Sequence, residues 1–141
     1  MFRAVDKFGK TVDFLLSPNR RMTDAQAFFR KALSKGWPRR ITLDGHTASH
    51  MALRLLCRES YKWRRVLVRS CRYLNNIVEQ DHRAIKRRCA PMLGFKSFKN
   101  ASITLAGIEL AHRIRKGQFA FGPGRRRQNW SLKEQWERAI A

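Results

Sequence analysis

Four side chains that could take part in one chemical step recur at helical spacing within residues 73–88. They occupy positions i, i+3, i+4 and i+7, the repeat of one face of an α-helix: Glu79, His82, Arg83 and Lys86. Apolar residues fall on the other side of the same predicted helix, at Val78 and Ile85. A carboxylate beside several cations is suited to holding a divalent metal ion next to a phosphate group. An ordinary solvated helix face explains the same pattern, and the spacing alone favours it, since charged amphipathic helices are common.

A second candidate acid, Asp44, follows a short β-prone run at residues 39–43 and precedes a predicted helix. The carboxyl ends of strands in α/β sheets are where ligands and reacting groups gather, which favours a role in chemistry. Asp is also among the best residues for capping a helix N-terminus. The sequence leaves these two roles of Asp44 open.

The other potential metal ligands do not form a recognisable motif. His46 and His50 are four residues apart, but no third ligand stands at a matching spacing, so surface or capping roles are favoured. The three cysteines include no C-x-x-C pair and are interpreted as reduced structural thiols: Cys57, Cys71 and Cys89.

The charge balance points to a polyanionic partner. The 141 residues contain 31 Lys and Arg against 10 Asp and Glu, a formal charge of +21 that would repel itself without such a partner. Arginine pairs are spread along the chain, so we expect a broad nucleic-acid surface rather than one basic arm. With 43% hydrophobic residues, the chain is expected to fold as one domain. No stretch has the length of a membrane span and no secretory signal is recognised, so a cytoplasmic location is expected.

The elements that must position these residues alternate between strand and helix. In chain order the pattern predicts two hairpin strands, a helix, a strand, a helix, a strand and two further helices: Phe2–Val5, residues 11–16, 25–34, 39–43, Thr47–Glu59, 63–68, 73–88 and 102–116. Gly9 is placed in the hairpin turn, and Phe95 and Phe98 are expected to pin a later loop to the core. A flexible basic linker at 122–127 and a weak helix at 130–139 would follow. This order of elements predicts an α/β fold.

The spacing of Asp44 and Glu79 and the amino-acid sequence around them resemble one known family. The 34 residues between Asp44 and Glu79 resemble the D-(34)-E portion of the DDE transposases of bacterial insertion sequences. The amino-acid sequence around both acids is similar to that of insertion-sequence family six. The block YLNNIVEQDHR at residues 73–83 is the segment most diagnostic of that family. The other similar segments are RAVD at 3–6, TVDF at 11–14, TLDG at 42–45 and GIE through RKGQ at 107–118. The resemblance covers the chain from Phe2 to about Phe119.

This resemblance implies an RNase H-like, integrase-type catalytic domain, in which a mixed sheet is flanked by helices. It implies three carboxylates that hold two divalent metal ions, Mg²⁺ or Mn²⁺. Carried over by position, Asp44 matches the second acid, Glu79 the third, and Lys86 a basic residue that contacts phosphate. Arg83 and His82 would add to the phosphate-binding face. The implied partners are transposon ends and target DNA, which the enzyme cleaves and joins by metal-dependent phosphoryl transfer.

The first acid of that triad has no matching position in this sequence. Asp6 belongs to the predicted hairpin turn and Asp13 to the next strand, so both are interpreted as structural or solvated residues. We therefore expect residues 1–119 to form a partial catalytic domain that lacks its first strand, and 120–141 to form a basic linker with a weak helix. Such a chain is expected to be an inactive, truncated transposase that forms homo-oligomers or mixed oligomers with an intact one.

Two alternatives explain the charge. A non-catalytic basic DNA-binding protein, or an inhibitor that competes with an intact transposase, fits the charge of +21 equally well. A ribosomal-type RNA-binding protein explains the charge, but it explains neither the D-(34)-E spacing nor the face around Glu79.

Overall fold

The computed structural model describes four segments of the chain: residues 1–34, 36–71, 76–119 and 131–140. The chain divides into two compact units, Met1–Ala84 and Ile85–Ala141. All the strands of the described segments lie in the first unit.

A β-hairpin lies in the first unit, as the sequence predicts. Strand β1 (Phe2–Val5) pairs antiparallel with strand β2 (Thr11–Leu15). The Asp6 carboxylate accepts hydrogen bonds from two backbone N–H groups of the turn, at 2.8 and 2.9 Å. Gly9 has a φ of 76°, in the left-handed region that favours glycine. Asp6 is therefore a structural residue of the turn.

Helix α1 (Met22–Leu33) begins three residues earlier than its sequence pattern predicts. Asp24 accepts a hydrogen bond from the backbone N–H of Arg21 at 3.1 Å, so it caps the helix from within the first turn. Phe28 of this helix is buried and stacks on Phe2 of β1, with the ring centroids 5.7 Å apart. This stacking packs α1 on the hairpin.

A strand–helix–strand segment completes the sheet structure of the first unit. Strand β3 (Arg40–Leu43) pairs parallel with strand β4 (Leu67–Ser70). Helix α2 (Thr47–Glu59) and the one-turn helix α3 (Tyr61–Arg64) connect the two strands. Helix α2 has the bounds that the sequence predicts.

The strand predicted at residues 63–68 is wrong at residues 63–66, of which the first two belong to α3. The Ser60 hydroxyl caps this turn by accepting a backbone N–H at 3.4 Å, which favours helix over strand. The turn places the Trp63 side chain in the core, where it is 7% exposed. Strand β4 then begins only at Leu67.

One apolar core holds the first unit together. Its buried members come from α1, α2, α3 and the end of β3, and Ala52 and Leu56 of α2 are fully enclosed at 0% exposure. The described strands form two separate two-stranded sheets, β1–β2 and β3–β4. The α/β class is therefore confirmed, while these four strands do not join into the single mixed sheet that the resemblance implies.

Helices make up the described part of the second unit. Helix α4 (Asn76–Cys89) crosses the boundary between the units, and α5 (Phe98–Arg115) and α6 (Leu132–Ile140) follow it. Helix α5 starts four residues earlier than predicted, because Ser97 accepts a backbone N–H of its first turn at 3.2 Å. The predicted basic linker at 122–127 lies outside the described residues. Within the described segments, no helix has both the length and the apolar content needed to cross a membrane.

Two core contacts predicted for the second unit are wrong. Phe95 is 37% exposed and Phe98 is 49% exposed. Because Ser97 starts α5, Phe98 becomes an exposed residue of the first helical turn rather than an anchor of the preceding loop. The buried apolar side chains of α5 lie further along, at Ala101, Leu105 and Ile114.

All three cysteines are free and half-buried, in agreement with their interpretation as reduced thiols. Cys89 ends α4, where burial, and then the nearby Glu109 carboxylate, raise the pKa of its thiol. The thiol therefore stays protonated at neutral pH, and in that state it is a weak nucleophile.

Replacing Leu56 by Ala should lower the free energy of unfolding by about 2–5 kcal/mol, because it removes a fully buried side chain and leaves a cavity. Met51→Ala on the same helix is the matched control, since Met51 is 50% exposed. That control should change the free energy by about 0.5 kcal/mol or less. Urea unfolding followed by circular dichroism measures both variants, and equal losses would contradict the placement of Leu56 in the core.

Candidate active site

Asp44 lies in an exposed turn that directly follows β3. Its Oδ1 accepts a hydrogen bond from the backbone N–H of His46 at 3.1 Å, which closes the turn before α2. The N-cap of α2 is His46, so Asp44 is not the helix cap that the sequence left open. Gly45 has a φ of 84°, and a Cβ at this position would lie 3.9 Å from Ser70 Oγ at the end of β4. The turn therefore holds Asp44 beside the carboxyl ends of two parallel strands.

Glu79 is an exposed residue in the first turn of α4, and Arg83, one turn later, is exposed as well. His82 is half-buried and so belongs only partly to the predicted charged face. Lys86 is exposed, on the part of α4 that belongs to the second unit. The described part of the helix confirms the predicted helical spacing, while residues 73–75 lie outside the described residues.

A buried ion pair ties α4 to the hairpin. Asp81, two residues after Glu79, is 6% exposed and accepts a hydrogen bond from Arg3 Nε of β1. Arg3 Nη2 also donates to Thr11 Oγ1 of β2 at 3.1 Å. Side chains two residues apart on a helix point about 200° away from each other. Burial of Asp81 therefore turns Glu79 outward.

The sequence contains a sign of this ion pair that motif comparison does not reveal. Asp81 falls on the apolar side of α4, four residues after Ile77 and four before Ile85. A carboxylate at such a position needs a buried partner, because an unpaired buried charge is costly. The helical period alone thus predicts that Asp81 is a buried residue that stabilises the fold, but it does not identify Arg3 as its partner.

The remaining acids of the first unit serve the fold. Asp13 is 3% exposed and pairs with Lys31 at 3.1 Å, in agreement with its structural interpretation. Three acids of the unit are exposed: Asp44, Glu59 and Glu79. Glu59 forms an ion pair with Arg30. Within the described part of the unit, Asp44 and Glu79 are therefore the exposed acids that have no cationic partner.

The donor types of these two acids fit a hard divalent cation, but the number of donors is incomplete. Carboxylate oxygens are ligands that suit Mg²⁺ and Mn²⁺. Among the residues that the structure describes, no group of three His, Cys, Asp or Glu side chains is placed to hold a metal ion. Asp44 and Glu79 are thus two candidate ligands, and neither belongs to a group of three such side chains within the described residues.

Comparison with known proteins relates the chain to insertion-sequence transposases. A family model described as a DDE domain matches residues 1–118. The transposase for insertion sequence-like element IS431mec of Staphylococcus aureus strain Mu50 is 31% identical over 117 residues, which cover 82% of this chain and 50% of that protein. The transposase for insertion sequence element IS257 in transposon Tn4003 of Staphylococcus aureus gives the same values. The chain spans about half the length of these relatives. No solved structure gives a match.

Replacing Asp81 by Asn should lower the free energy of unfolding by about 3–5 kcal/mol, because the Arg3 guanidinium would stay buried without its carboxylate partner. Combining Arg3→Met with Asp81→Leu should recover most of this loss, since both buried charges are then removed at similar volume. Glu59→Gln is the control for an exposed pair and should cost about 1 kcal/mol or less. Denaturant unfolding of the single and double variants measures the coupling, and purely additive losses would contradict a coupled buried pair.

Proposed function

This chain belongs to the DDE transposases of insertion-sequence family six, and on that premise we propose that Asp44 and Glu79 are two of the acids needed to cleave and join DNA strands. One observation carries the proposal. Within the described part of the first unit, these are the exposed acids that have no cationic partner. Every other acid of that unit is buried, half-buried or paired with a cation.

Two different elements of the first unit hold the two acids, and the proposal is that these elements bring both carboxylates to one metal site. The turn after β3 holds Asp44, and the ion pair between Asp81 and Arg3 sets the rotation of the helix that carries Glu79. A pair of divalent ions, Mg²⁺ or Mn²⁺, would activate the attacking oxygen and stabilise the leaving oxygen of the phosphodiester. The carboxylates of this chain would bind those ions.

The basic residues of α4 would bind and orient the DNA backbone beside the acids. Arg83 presents a planar guanidinium that matches phosphate oxygens in a two-pronged contact. Lys86 presents a compact ammonium, and the half-buried His82 would add a ring nitrogen at the margin of this face. The partner is DNA, namely transposon ends and target, and the place of action is the bacterial cytoplasm at the nucleoid.

We propose that the complete site also takes an acid that the described residues do not provide, as part of an integrase-type sheet. The arrangement of strands supports this proposal, because the two strand pairs share one core without hydrogen bonds joining them into one sheet. The chain spans about half the length of its relatives, so the rest of such a protein has room for a further strand and its acid.

A second candidate function is DNA binding without catalysis. The charge of +21 favours it, because a cationic surface binds DNA without metal ions. A chain of this kind would compete with an intact transposase for DNA, or form mixed oligomers with it. Metal-dependent strand transfer separates the two functions, whereas salt-dependent DNA binding is expected from both.

The 141-residue chain should not join labelled DNA ends in the presence of Mg²⁺ or Mn²⁺, since two acids do not complete a two-metal site. A strand-transfer assay on DNA carrying terminal repeats of the element measures this. If the chain joins ends, and Glu79→Gln abolishes joining while Glu59→Gln does not, the site is complete in this chain and the predicted inactivity is wrong.

Mn²⁺ should bind weakly at the two proposed acids even without catalysis, because carboxylate oxygens suit this ion. In nuclear magnetic resonance spectra, the paramagnetic ion should broaden the amide signals around Asp44 and Glu79 first. The double variant Asp44→Asn/Glu79→Gln should lose this broadening, and Glu59→Gln should keep it. Broadening that is strongest around other acids, or that survives the double variant, would count against the proposed ligands.

A further inference from the structure

An open groove lies between helix α2 and strand β4 in the first unit, with a volume of about 410 Å³. Six side chains line it, none of them acidic: His50, Leu53, Arg54, Cys57, Arg58 and Val68. We call this cavity the α2–β4 groove. It shares no residue with the proposed acid site or with the basic face of α4.

The α2–β4 groove has one cationic wall and an apolar floor. His50, Arg54 and Arg58 follow each other at four-residue intervals on α2, which spaces them about 6 Å apart along one side of the helix. Leu53 is buried beneath them, and Val68, 44% exposed, faces the groove from β4. A ligand with anionic groups along one edge and an apolar surface on the other would match this lining.

The arginines of this wall are not used by the fold. Neither Arg54 nor Arg58 forms a hydrogen bond or ion pair of its side chain within the segments that the structure describes. Neighbouring arginines differ, because Arg64 Nε donates to the carbonyl of Cys57 at 2.9 Å and Arg30 pairs with Glu59. The wall therefore keeps its charge available for an external anion.

We propose that the α2–β4 groove binds one strand of DNA, with its phosphates on Arg54 and Arg58 beside His50 and a base or sugar against Leu53 and Val68. The groove has room for about one nucleotide but not for the width of a duplex. An unpaired strand exposes the apolar faces of its bases, whereas a duplex keeps them stacked inside. The proposal rests on the proposed function for its choice of DNA as the anion, and it adds a contact that requires neither metal nor acid.

Fluorescence anisotropy of the full chain with a labelled oligothymidine of about 12 nucleotides tests the proposal. Measurements are made in EDTA over rising NaCl, with a duplex of the same length in parallel. Arg54→Gln/Arg58→Gln should weaken single-strand binding about tenfold and flatten the log–log salt slope by about 1.4, since each phosphate contact contributes about 0.7. Duplex binding should change less.

The matched control is Arg20→Gln/Arg69→Gln, which removes two exposed arginines of the same unit that do not line the groove. Arg69 follows Val68 on β4 and so points to the opposite face of the strand. This control should change single-strand affinity about twofold or less. Melting followed by circular dichroism should give the same midpoint for both double variants, which shows that each is folded.

The outcomes separate the groove from the wider function. If both double variants lose affinity equally, or if the groove variant weakens duplex and single strand alike, the groove proposal is overturned while DNA binding stands. If the unmodified chain binds no DNA, the proposed function fails together with it. A selective loss at the groove, in the absence of metal, supports the proposal whatever the strand-transfer assay shows.

Discussion

The orientation of the acid-bearing helix depends on the buried ion pair between Arg3 and Asp81. The Arg3 side chain is fully enclosed at 0% exposure, so its charge has left water and needs the carboxylate and the Thr11 hydroxyl around it. Apolar packing alone would fix α4 less firmly, because Ile77 on the same side is 44% exposed. The pair forms only when α4 is rotated about its axis so that Asp81 faces Arg3, and that rotation turns Glu79 outward.

Local determinants explain which parts of the fold the sequence predicts. The hairpin depends on Asp6 and Gly9 within its own turn, and helix α2 follows a clear apolar repeat, so both appear as predicted. The errors at α3 and α5 come from serine hydroxyls that cap helices, at Ser60 and Ser97. These caps are local as well. The β-prone residues after Ser60 and the aromatic residue after Ser97 nevertheless favoured a strand and a loop over a helix start in the prediction.

The candidate site divides in the same way between local and distant causes. Asp44 could be placed from the sequence because a strand ends directly before it. Glu79 and Asp81, two acids two residues apart, have opposite environments, and that difference is set by Arg3, 78 residues from Asp81 in sequence. The helical period predicts that Glu79 and Asp81 lie on opposite sides of the helix. Only the three-dimensional structure identifies Arg3 as the partner of Asp81. The separation of the strands into two pairs is likewise a property of pairing that no single stretch of sequence carries.

The distribution of charge separates DNA binding from chemistry in this chain. Three of the seven acids of the first unit neutralise cations that the fold itself uses, namely Arg3, Arg30 and Lys31. The excess positive charge therefore remains on exposed residues such as Arg54 and Arg83, where it would attract phosphate groups without a metal ion. Strand transfer by the proposed route needs in addition a full set of carboxylates around two ions. Under the proposed function, an enzyme and a competitor for DNA would share this positive charge, and they would differ in the strand and the acid that complete the metal site.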